Sequence, residues 1–316
     1  MKIYLGVTDI DWYQYLSGLQ PPPEDINFWQ PGGTQGFKVL GAGEPFLFKL
    51  KAPHNAIGGL GFFTSYSRLP LSVAWETFLD QNGCRSFEVF RKKIMTYRQR
   101  FGKSETNPVI GCIVLTNPIF FRKEDWISVP ASWSGSIVQG KSYADQEREG
   151  KALFDKVYST LRHYRWMERE VEKKSPLQVK EEVSNEYREV LSRVRLGQGA
   201  FRVQITEAYH RRCAVSGEKT LPVLEAAHIK PYAQSGPHFT SNGLLLRSDL
   251  HKLFDNGYLT VTPDYQIEIS KRIHEEFENG REYYRFHGSR LLILPQQAAD
   301  RPSAQYLDWH NSQVFR

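Results

Sequence analysis

The sequence predicts an α+β protein with two domains joined by a charged helical segment. The chain of 316 residues is about the size of two ordinary domains. Short runs with the alternation of β-strands dominate residues 1–145, and helical spacing with mixed charge follows over residues 146–196. Residues 197–316 contain a hairpin-like segment that leads into a short helix. These observations set the domain boundaries that we expect.

The first domain is expected to be mainly β-structure with intervening helices. Strand-type alternation and helical spacing succeed each other, with Gly- and Pro-rich turns between them. Many short strands favour a compact barrel-like domain. In chain order we expect a strand at 2–7, a helix to about residue 17, strands at 46–50 and 57–66, helices at 71–80 and 87–101, strands at 110–115 and 119–121, and extended segments from 125 and near 143.

Residues 20–36 interrupt this pattern. They contain a run of prolines and a glycine pair, which predicts a loop without regular structure. The same stretch holds Phe28 and Trp29. Two large aromatic residues in a loop form either a hydrophobic plug or a contact surface, and the sequence leaves both interpretations open.

The second domain begins after the Gly-rich boundary at residues 197–199. A helix is predicted first, and residues 225–257 then form a strand, a polar turn and a helix over residues 248–254. The helix ends at Asn256-Gly257, which is the residue pair expected at a C-terminal cap. Two short strands follow around a Pro-Asp turn at residues 263–264, with a helix-like run beyond them.

The helix in this segment carries an imidazole and a carboxylate on one face. His251 and Asp255 stand four residues apart, so both side chains can approach one point. Both are ordinary ligands of divalent cations. His228, at the end of the preceding strand, could face the same point and accept a proton from water near neutral pH. A base beside a Lewis acid is suited to metal-assisted hydrolysis, that of phosphodiesters included.

The motifs AAHIKP and NGLLLRSDLHKLFDNG resemble those of the HNH nucleases, over about residues 197–275. The first His, the middle Asn and the last His of that ββα-metal site match His228, Asn242 and His251 here. The resemblance implies that His228 activates water and that His251 binds one divalent metal ion, Mg²⁺ or Mn²⁺, at the scissile phosphate. Asp255 matches a further ligand, and Asn242 would hold the loop between the strands.

Two positions depart from the usual HNH pattern. Many members have a metal ligand directly before the general base, whereas this chain has Ala227. Many also carry two Cys pairs that bind zinc, whereas this chain has Cys213 with Ser216 where a second Cys would stand. We therefore expect no structural zinc. Ala227 also leaves open a catalytically inactive DNA-binding protein.

The segment GEPFLFKLKAPHNAIGGLGFF resembles the core of PUA-superfamily domains, especially the EVE type, which are related to SRA and YTH domains. The resemblance covers about residues 1–145 and implies a PUA/EVE-like β-barrel that holds a modified base in an aromatic pocket. A base recognised in this way leaves the stack and is held by aromatic rings and polar edges. The pocket residues expected on this basis are Asn27, Phe28, Trp29 and Trp126, although a Trp can equally be part of the core.

Bulk properties fit a nucleic-acid partner. The net charge is +6, and four basic residues near the predicted site are candidates for phosphate contacts: Arg211, Arg212, Lys230 and Arg247. The three cysteines are scattered, which predicts no disulfide framework and suits a reducing, cytoplasmic setting. No run of apolar residues is long enough to span a membrane, and we expect no signal peptide.

Together these observations predict a modification-dependent restriction endonuclease that binds double-stranded DNA. Its N-terminal domain would recognise 5-methylcytosine or 5-hydroxymethylcytosine, and its HNH site would hydrolyse the phosphodiester bond. The alternative is an N-terminal domain that recognises phosphorothioate DNA, a particular unmodified sequence or an RNA-containing structure. Because one HNH site cuts one strand, a double-strand break requires a homodimer or two binding events.

Overall fold

A computed structural model describes residues 1–32, 36–99, 105–171, 197–234 and 236–316. The chain forms two compact units, Met1–Arg195 and Leu196–Arg316. Residues 172–196 of the predicted linker lie outside the described residues. Among the helices of the described ranges, none combines the length and apolar character that a bilayer crossing requires.

Among the described residues of the N-terminal unit, seven strands form one sheet in the order β2-β5-β4-β3-β1-β7, with β6 on β4. β1 and β3 pair in parallel, and the other pairs are antiparallel. The long β4 pairs with β3, β5 and β6, and its register with β5 shifts at two places. The strands are β1 (Lys2–Thr8), β2 (Asp25–Gln30), β3 (Pro45–Leu50), β4 (Ala56–Pro70), β5 (Val109–Phe120), β6 (Ile127–Ser128) and β7 (Gly140–Ala144).

Each face of this sheet buries its own hydrophobic cluster. Side chains alternate along a strand, so Leu47 of β3 joins one cluster while Phe46 and Phe48 join the other. The sheet therefore has helices on both faces, and the predicted α+β class is confirmed. The helices are α1 (Ile10–Ser17), α2 (Leu71–Phe78), α3 (Phe87–Gln99) and α4 (Arg148–Val171).

The predicted irregular loop at residues 20–36 is wrong for its centre, because Asp25–Gln30 is strand β2. This strand pairs with β5, with Asn27 opposite Val114 and Trp29 opposite Cys112. The prolines and glycines that suggested a loop flank the strand on either side. Within DINFWQ, alternate side chains are buried on opposite faces of the sheet, and that tertiary burial outweighs the local turn signals.

The C-terminal unit contains the predicted hairpin and helix. β8 (Leu224–His228) and β9 (Gly243–Arg247) form one antiparallel pair, α6 (Ser248–Asp255) follows directly, and β10 (Leu259–Val261) pairs with β11 (Ile267–Ile269). The predicted C-terminal cap of α6 is confirmed, because Gly257 has φ +72°, a conformation that glycine adopts easily. The remaining helices are α5 (Gln198–Ala208), α7 (Arg272–Phe277), α8 (Arg281–Tyr284) and α9 (Ala304–Gln313).

His310 fastens helix α9 to the rest of this unit. Its ring stacks on Phe254 at 3.7 Å between centroids, Nε2 donates to the Phe254 carbonyl at 3.1 Å, and Nδ1 lies 2.8 Å from Thr260 Oγ1. Only 2% of the residue is exposed. Burial lowers the pKa of His310 to about 4, with a smaller opposing effect of the bond to Phe254. His310 is therefore a neutral core residue.

The burial of His310 predicts acid sensitivity. Below its unfolded pKa near 6.5, His310 gains a proton only when the chain unfolds, so stability falls as the pH drops from that value towards 4. We expect the free energy of unfolding to lose about 2 kcal/mol from this residue between pH 7 and about pH 5. Denaturant titrations at both pH values should show a smaller pH dependence in His310→Gln than in the wild type. The exposed His274→Gln is the matched control, and an unchanged pH dependence in His310→Gln would contradict the prediction.

Candidate functional site

The hairpin β8–β9 and helix α6 bring the predicted site residues to one side of the C-terminal unit. His228 ends β8 opposite Gly243, the first residue of β9. A side chain at 243 would collide with Phe201 and Ile205, so glycine permits the close approach of α5 to the hairpin. Leu250 and Phe254 bury the inner face of α6 against the core. The outer face of α6 is left to His251 and Asp255.

A cleft of about 290 Å³ opens where these elements meet. His228, His251 and Asp255 all line it, so the structure brings three of the four predicted HNH residues together. The other lining residues are Gln198, Ala226, Ile229, Pro231, Tyr232, His310 and Val314.

His228 is held on two sides. Its ring stacks on Phe201, with 3.9 Å between centroids and 13° between planes, and its Nε2 lies 2.8 Å from Nδ1 of His238. Burial, together with smaller effects of the neighbouring His238 and His251, lowers the pKa of His228 to about 4. The imidazole is therefore neutral at pH 7 and can accept a proton, as a general base must.

Asn242 clamps the loop that connects the two strands. Its Oδ1 accepts from the Lys230 amide at 2.9 Å, and its Nδ2 donates to the carbonyls of Lys230 and Pro237 at 2.9 Å each. The residue is wholly buried, with 0% of its surface exposed. Asn242 thereby fixes the chain just after His228 and just before His238, and it does not line the cleft.

Loss of this clamp should destabilise the C-terminal unit. Asn242→Ala leaves one part-buried amide and two part-buried carbonyls without their partner, so we expect a loss of about 3 kcal/mol in the free energy of unfolding. Chemical denaturation measures the loss, with the exposed Asn279→Ala as the control. A loss equal to that of the control would show that Asn242 is not a clamp.

His251 lies between two carboxylates. Glu225 Oε2 is 2.7 Å from His251 Nδ1, and Asp255 Oδ2 is 3.3 Å from His251 Nε2. Partial burial raises the pKa of Asp255, His251 opposes that rise and Glu225 adds to it, while 56% of the Asp255 side chain stays exposed. Because Glu225 occupies Nδ1, it fixes the imidazole ring and leaves Nε2 directed towards Asp255.

These donors fit a divalent cation as an open pair of ligands. His251 Nε2 and Asp255 Oδ2 share one face of α6 and lie 3.3 Å apart, and an imidazole nitrogen and a carboxylate oxygen are both ordinary ligands of divalent cations. The described residues contain no group of three or more His, Cys, Asp and Glu arranged as a metal cage. A cation here would complete its coordination with water and substrate oxygens.

The positions that depart from the HNH pattern are part of the core. Ala227 is 0% exposed within the hydrophobic cluster, and the carboxylate that reaches His251 comes from Glu225, two residues earlier on the strand. Cys213 is also 0% exposed, and its sulfur accepts from the backbone amides of Ser216 and Arg247. Cys213 therefore supports the turn before the hairpin.

The four basic residues predicted for phosphate contacts differ in their surroundings. Arg247 makes a two-pronged ion pair with Asp249 at 2.6 and 2.7 Å, and Arg211 pairs with Glu207 at 2.6 Å. Lys230 places its ammonium over the Trp309 ring at 5.7 Å, and Arg212 is half-buried nearby in sequence. Arg211 and Arg247 would have to share their guanidinium groups between a carboxylate and a phosphate, which makes Lys230 the better candidate.

The predicted base-pocket residues are not brought together as one set. Asn27 and Trp29 face the side of the sheet where both bond to Asn82, through its side-chain and carbonyl oxygens respectively, whereas Phe28 packs on the opposite side with Phe46. Asn27 is also 0% exposed. Adjacent residues of a strand point to opposite faces, so the run Asn27-Phe28-Trp29 cannot line one pocket. Trp126 is half-buried elsewhere, where its ring packs edge-on against Tyr13 and His54.

Sequence reasoning missed His238 and Glu225. His238 belongs to a Gly-Pro-His stretch in the polar turn, and Glu225 stands three residues before His228. Neither residue is separated from its partner by an interval typical of one helix or one strand. His238 contacts His228 across a loop, and Glu225 on strand β8 contacts His251 on helix α6. The only signal in the sequence was their residue type within the motif.

Residues 213–262 match the model of the HNH_2 family, which is described as HNH endonuclease. The chain therefore carries an HNH endonuclease domain at these residues. The comparison with curated proteins gives no match.

Among solved structures, the chain is similar to ASCH from Zymomonas mobilis, a PUA-like protein, with 10% identity, coverage of 48% of this chain and 94% of that one, and a TM-score of 0.34. It is also similar to the modification-dependent TagI restriction endonuclease, with 15% identity and a TM-score of 0.29. That match covers 86% of this chain and 61% of TagI.

Proposed function

We propose that this protein is a metal-dependent DNA endonuclease of the restriction type, whose N-terminal unit selects DNA that carries modified cytosine. The observation that carries the nuclease assignment is the convergence of His228, His251 and Asp255 on one cleft of the segment that matches the HNH model. A neutral, half-buried imidazole beside an open pair of metal ligands supports hydrolysis of a phosphodiester.

In the proposed mechanism His228 accepts a proton from the water that attacks the phosphorus. Asn242 keeps the strand end and the following loop in place, so that the base does not drift from the attacking water. His251 and Asp255 hold the cation, for which Mg²⁺ is the first candidate and Mn²⁺ the second. When bound, a divalent cation supplies stabilisation of the charge that develops on the phosphate and on the leaving oxygen.

The selection of modified cytosine rests on the N-terminal unit. Residues 43–63, which carry the resemblance to PUA-superfamily domains, form β3 and the beginning of β4. Trp126 packs against His54 in the turn between these strands and is half-buried, so it remains the best-placed member of the predicted pocket. The three buried, free cysteines suit a reducing, cytoplasmic setting. Cleavage of both DNA strands would require a homodimer or two binding events.

The test is digestion of one plasmid sequence in four forms: unmodified, 5-methylated, 5-hydroxymethylated at cytosine, and phosphorothioated. Each is incubated with Mg²⁺ or Mn²⁺, with EDTA as the control. Cleavage confined to a cytosine-modified form supports both parts of the proposal. Cleavage of all four forms would support the nuclease activity and contradict the selection of modified cytosine. Cleavage of the phosphorothioate form alone would show that the N-terminal unit recognises phosphorothioate instead of modified cytosine. No cleavage of any form would favour a DNA-binding protein without nuclease activity.

A further inference from the structure

The contact between His228 and His238 determines which ring nitrogen of His228 can accept a proton in the nuclease reaction. The inference drawn from it rests on the proposed function. The two ring nitrogens lie 2.8 Å apart, which is a hydrogen-bond distance. Of two neutral imidazoles, one must donate and the other must accept. If His228 donates from Nε2, its Nδ1 carries a lone pair and can act as a base. If His238 donates from Nδ1, neutral His228 carries its proton on Nδ1 and has no free nitrogen.

We propose that His238 is a positioning residue that accepts the Nε2 proton of His228 and so keeps Nδ1 of His228 available to take a proton from water. The same acceptor then serves the imidazolium that forms when His228 has taken that proton, because both nitrogens of a charged imidazole donate. His238 acts through His228 and needs no contact with the substrate.

The position of His238 is itself fixed by its surroundings. Only 9% of the residue is exposed, and its ring stacks on Tyr232 with 4.5 Å between centroids and 16° between planes. The residue before it, Pro237, gives its carbonyl to Asn242, which also holds both backbone groups of Lys230. One buried amide therefore fixes the chain next to both histidines and keeps their separation constant.

Two substitutions separate this role from simple packing. His238→Phe keeps a buried aromatic ring that can stack on Tyr232, but it removes the acceptor and leaves the Nε2 proton of His228 buried without a partner. His238→Asn is smaller and packs less well, yet it offers an amide oxygen near the position of Nδ1. A residue needed only for packing would tolerate Phe better than Asn, whereas the proposed role predicts the reverse order.

The kinetic test measures single-turnover cleavage at saturating enzyme, together with DNA binding by anisotropy. We expect His238→Phe to lower the cleavage rate about 10- to 100-fold with unchanged DNA binding, and His238→Asn to stay within about fivefold of the wild type. Adding His238→Phe to His228→Ala should cause no further loss, because the two residues act as one unit. Wild-type cleavage by His238→Phe, a slower His238→Asn, or additive losses would each overturn the proposal.

A spectroscopic test decides the same question without cleavage. Long-range ¹H–¹⁵N correlation spectra of the histidine rings at pH 7 identify which nitrogen carries the proton. We expect His228 of the wild-type protein to be protonated on Nε2 and to keep that state in His238→Asn, with its shared-proton signal lost in His238→Phe. Protonation of His228 on Nδ1 in the wild-type protein would overturn the inference even if the protein cleaves DNA. If instead the protein cleaves nothing, an Nε2-protonated His228 would uphold the pairing and place the failure in the proposed function.

Discussion

Replacement of His228 by alanine should reduce DNA cleavage at saturating enzyme about 10²- to 10⁴-fold, the usual contribution of a general base. Its imidazole is neutral at pH 7, lines the cleft and lies close to the proposed cation site. Alanine removes the proton acceptor and leaves the clamp around Asn242 in place. The measurement is the single-turnover rate with each plasmid form that the wild type cleaves, and DNA binding should be unchanged.

The control for His228→Ala is His274→Ala, since His274 is exposed on α7 of the same unit. Thermal unfolding should show both variants folded, so that a loss of rate reports chemistry. Raising the concentration of Mg²⁺ should not restore the cleavage rate of His228→Ala, because more metal ion can compensate for a lost metal ligand but not for a lost proton acceptor. A cleavage rate within about threefold of the wild type would remove His228 from the mechanism.

The HNH segment could be predicted closely because its signals are local. Leu244, Leu245 and Leu246 are all buried, α6 buries residues four apart, and Gly257 stops the helix in the conformation that its type suggested. A hairpin followed at once by a helix leaves few ways to arrange the intervening side chains. The spacing of four residues placed His251 and Asp255 on one face of the helix, and the hairpin position and the HNH resemblance placed His228 at the same point; all three line one cleft.

The N-terminal unit was harder to predict because its signals conflict. Prolines before β2 and glycines after it indicated a loop, although Asp25–Gln30 pairs along its whole length with β5. Once that strand is known, alternation separates Phe28 from Asn27 and Trp29, which the loop interpretation had grouped together. The loop interpretation thus led directly to the grouping of Asn27, Phe28 and Trp29 on one side of a pocket.

His238 and Glu225 illustrate a different limit. Each supports one imidazole of the site by a single hydrogen bond at 2.8 or 2.7 Å. Which nitrogen of a histidine is occupied depends on the fold around it, and no periodicity encodes it. Residues that orient a catalytic group are therefore found by geometry after the group itself is known.

The second large effect concerns the ligands of the cation. Asp255→Asn keeps the shape of the side chain but removes its charge, so the Mg²⁺ concentration for half-maximal cleavage should rise about 10- to 100-fold. His251→Ala should lower the maximal rate as well, because it removes the ligand that Glu225 orients. Glu225→Gln should lower the maximal rate less than His251→Ala does. The amide oxygen of Gln can still accept a hydrogen bond from Nδ1 of His251, but this bond is weaker than the bond to a charged carboxylate.

Direct binding of Mn²⁺, measured by calorimetry, distinguishes these ligands from residues that act on the chemistry. Weaker binding is expected in Asp255→Asn and His251→Ala, whereas His228→Ala should bind Mn²⁺ like the wild type. Asp264→Asn, an exposed carboxylate in the turn between β10 and β11, is the matched control. If Asp255→Asn bound Mn²⁺ with wild-type affinity, the 3.3 Å contact between His251 and Asp255 would be an ordinary ion pair on a helix surface. If a high concentration of Mg²⁺ restored the cleavage rate of Asp255→Asn but not that of His228→Ala, Asp255 would be assigned as a metal ligand and His228 as the general base.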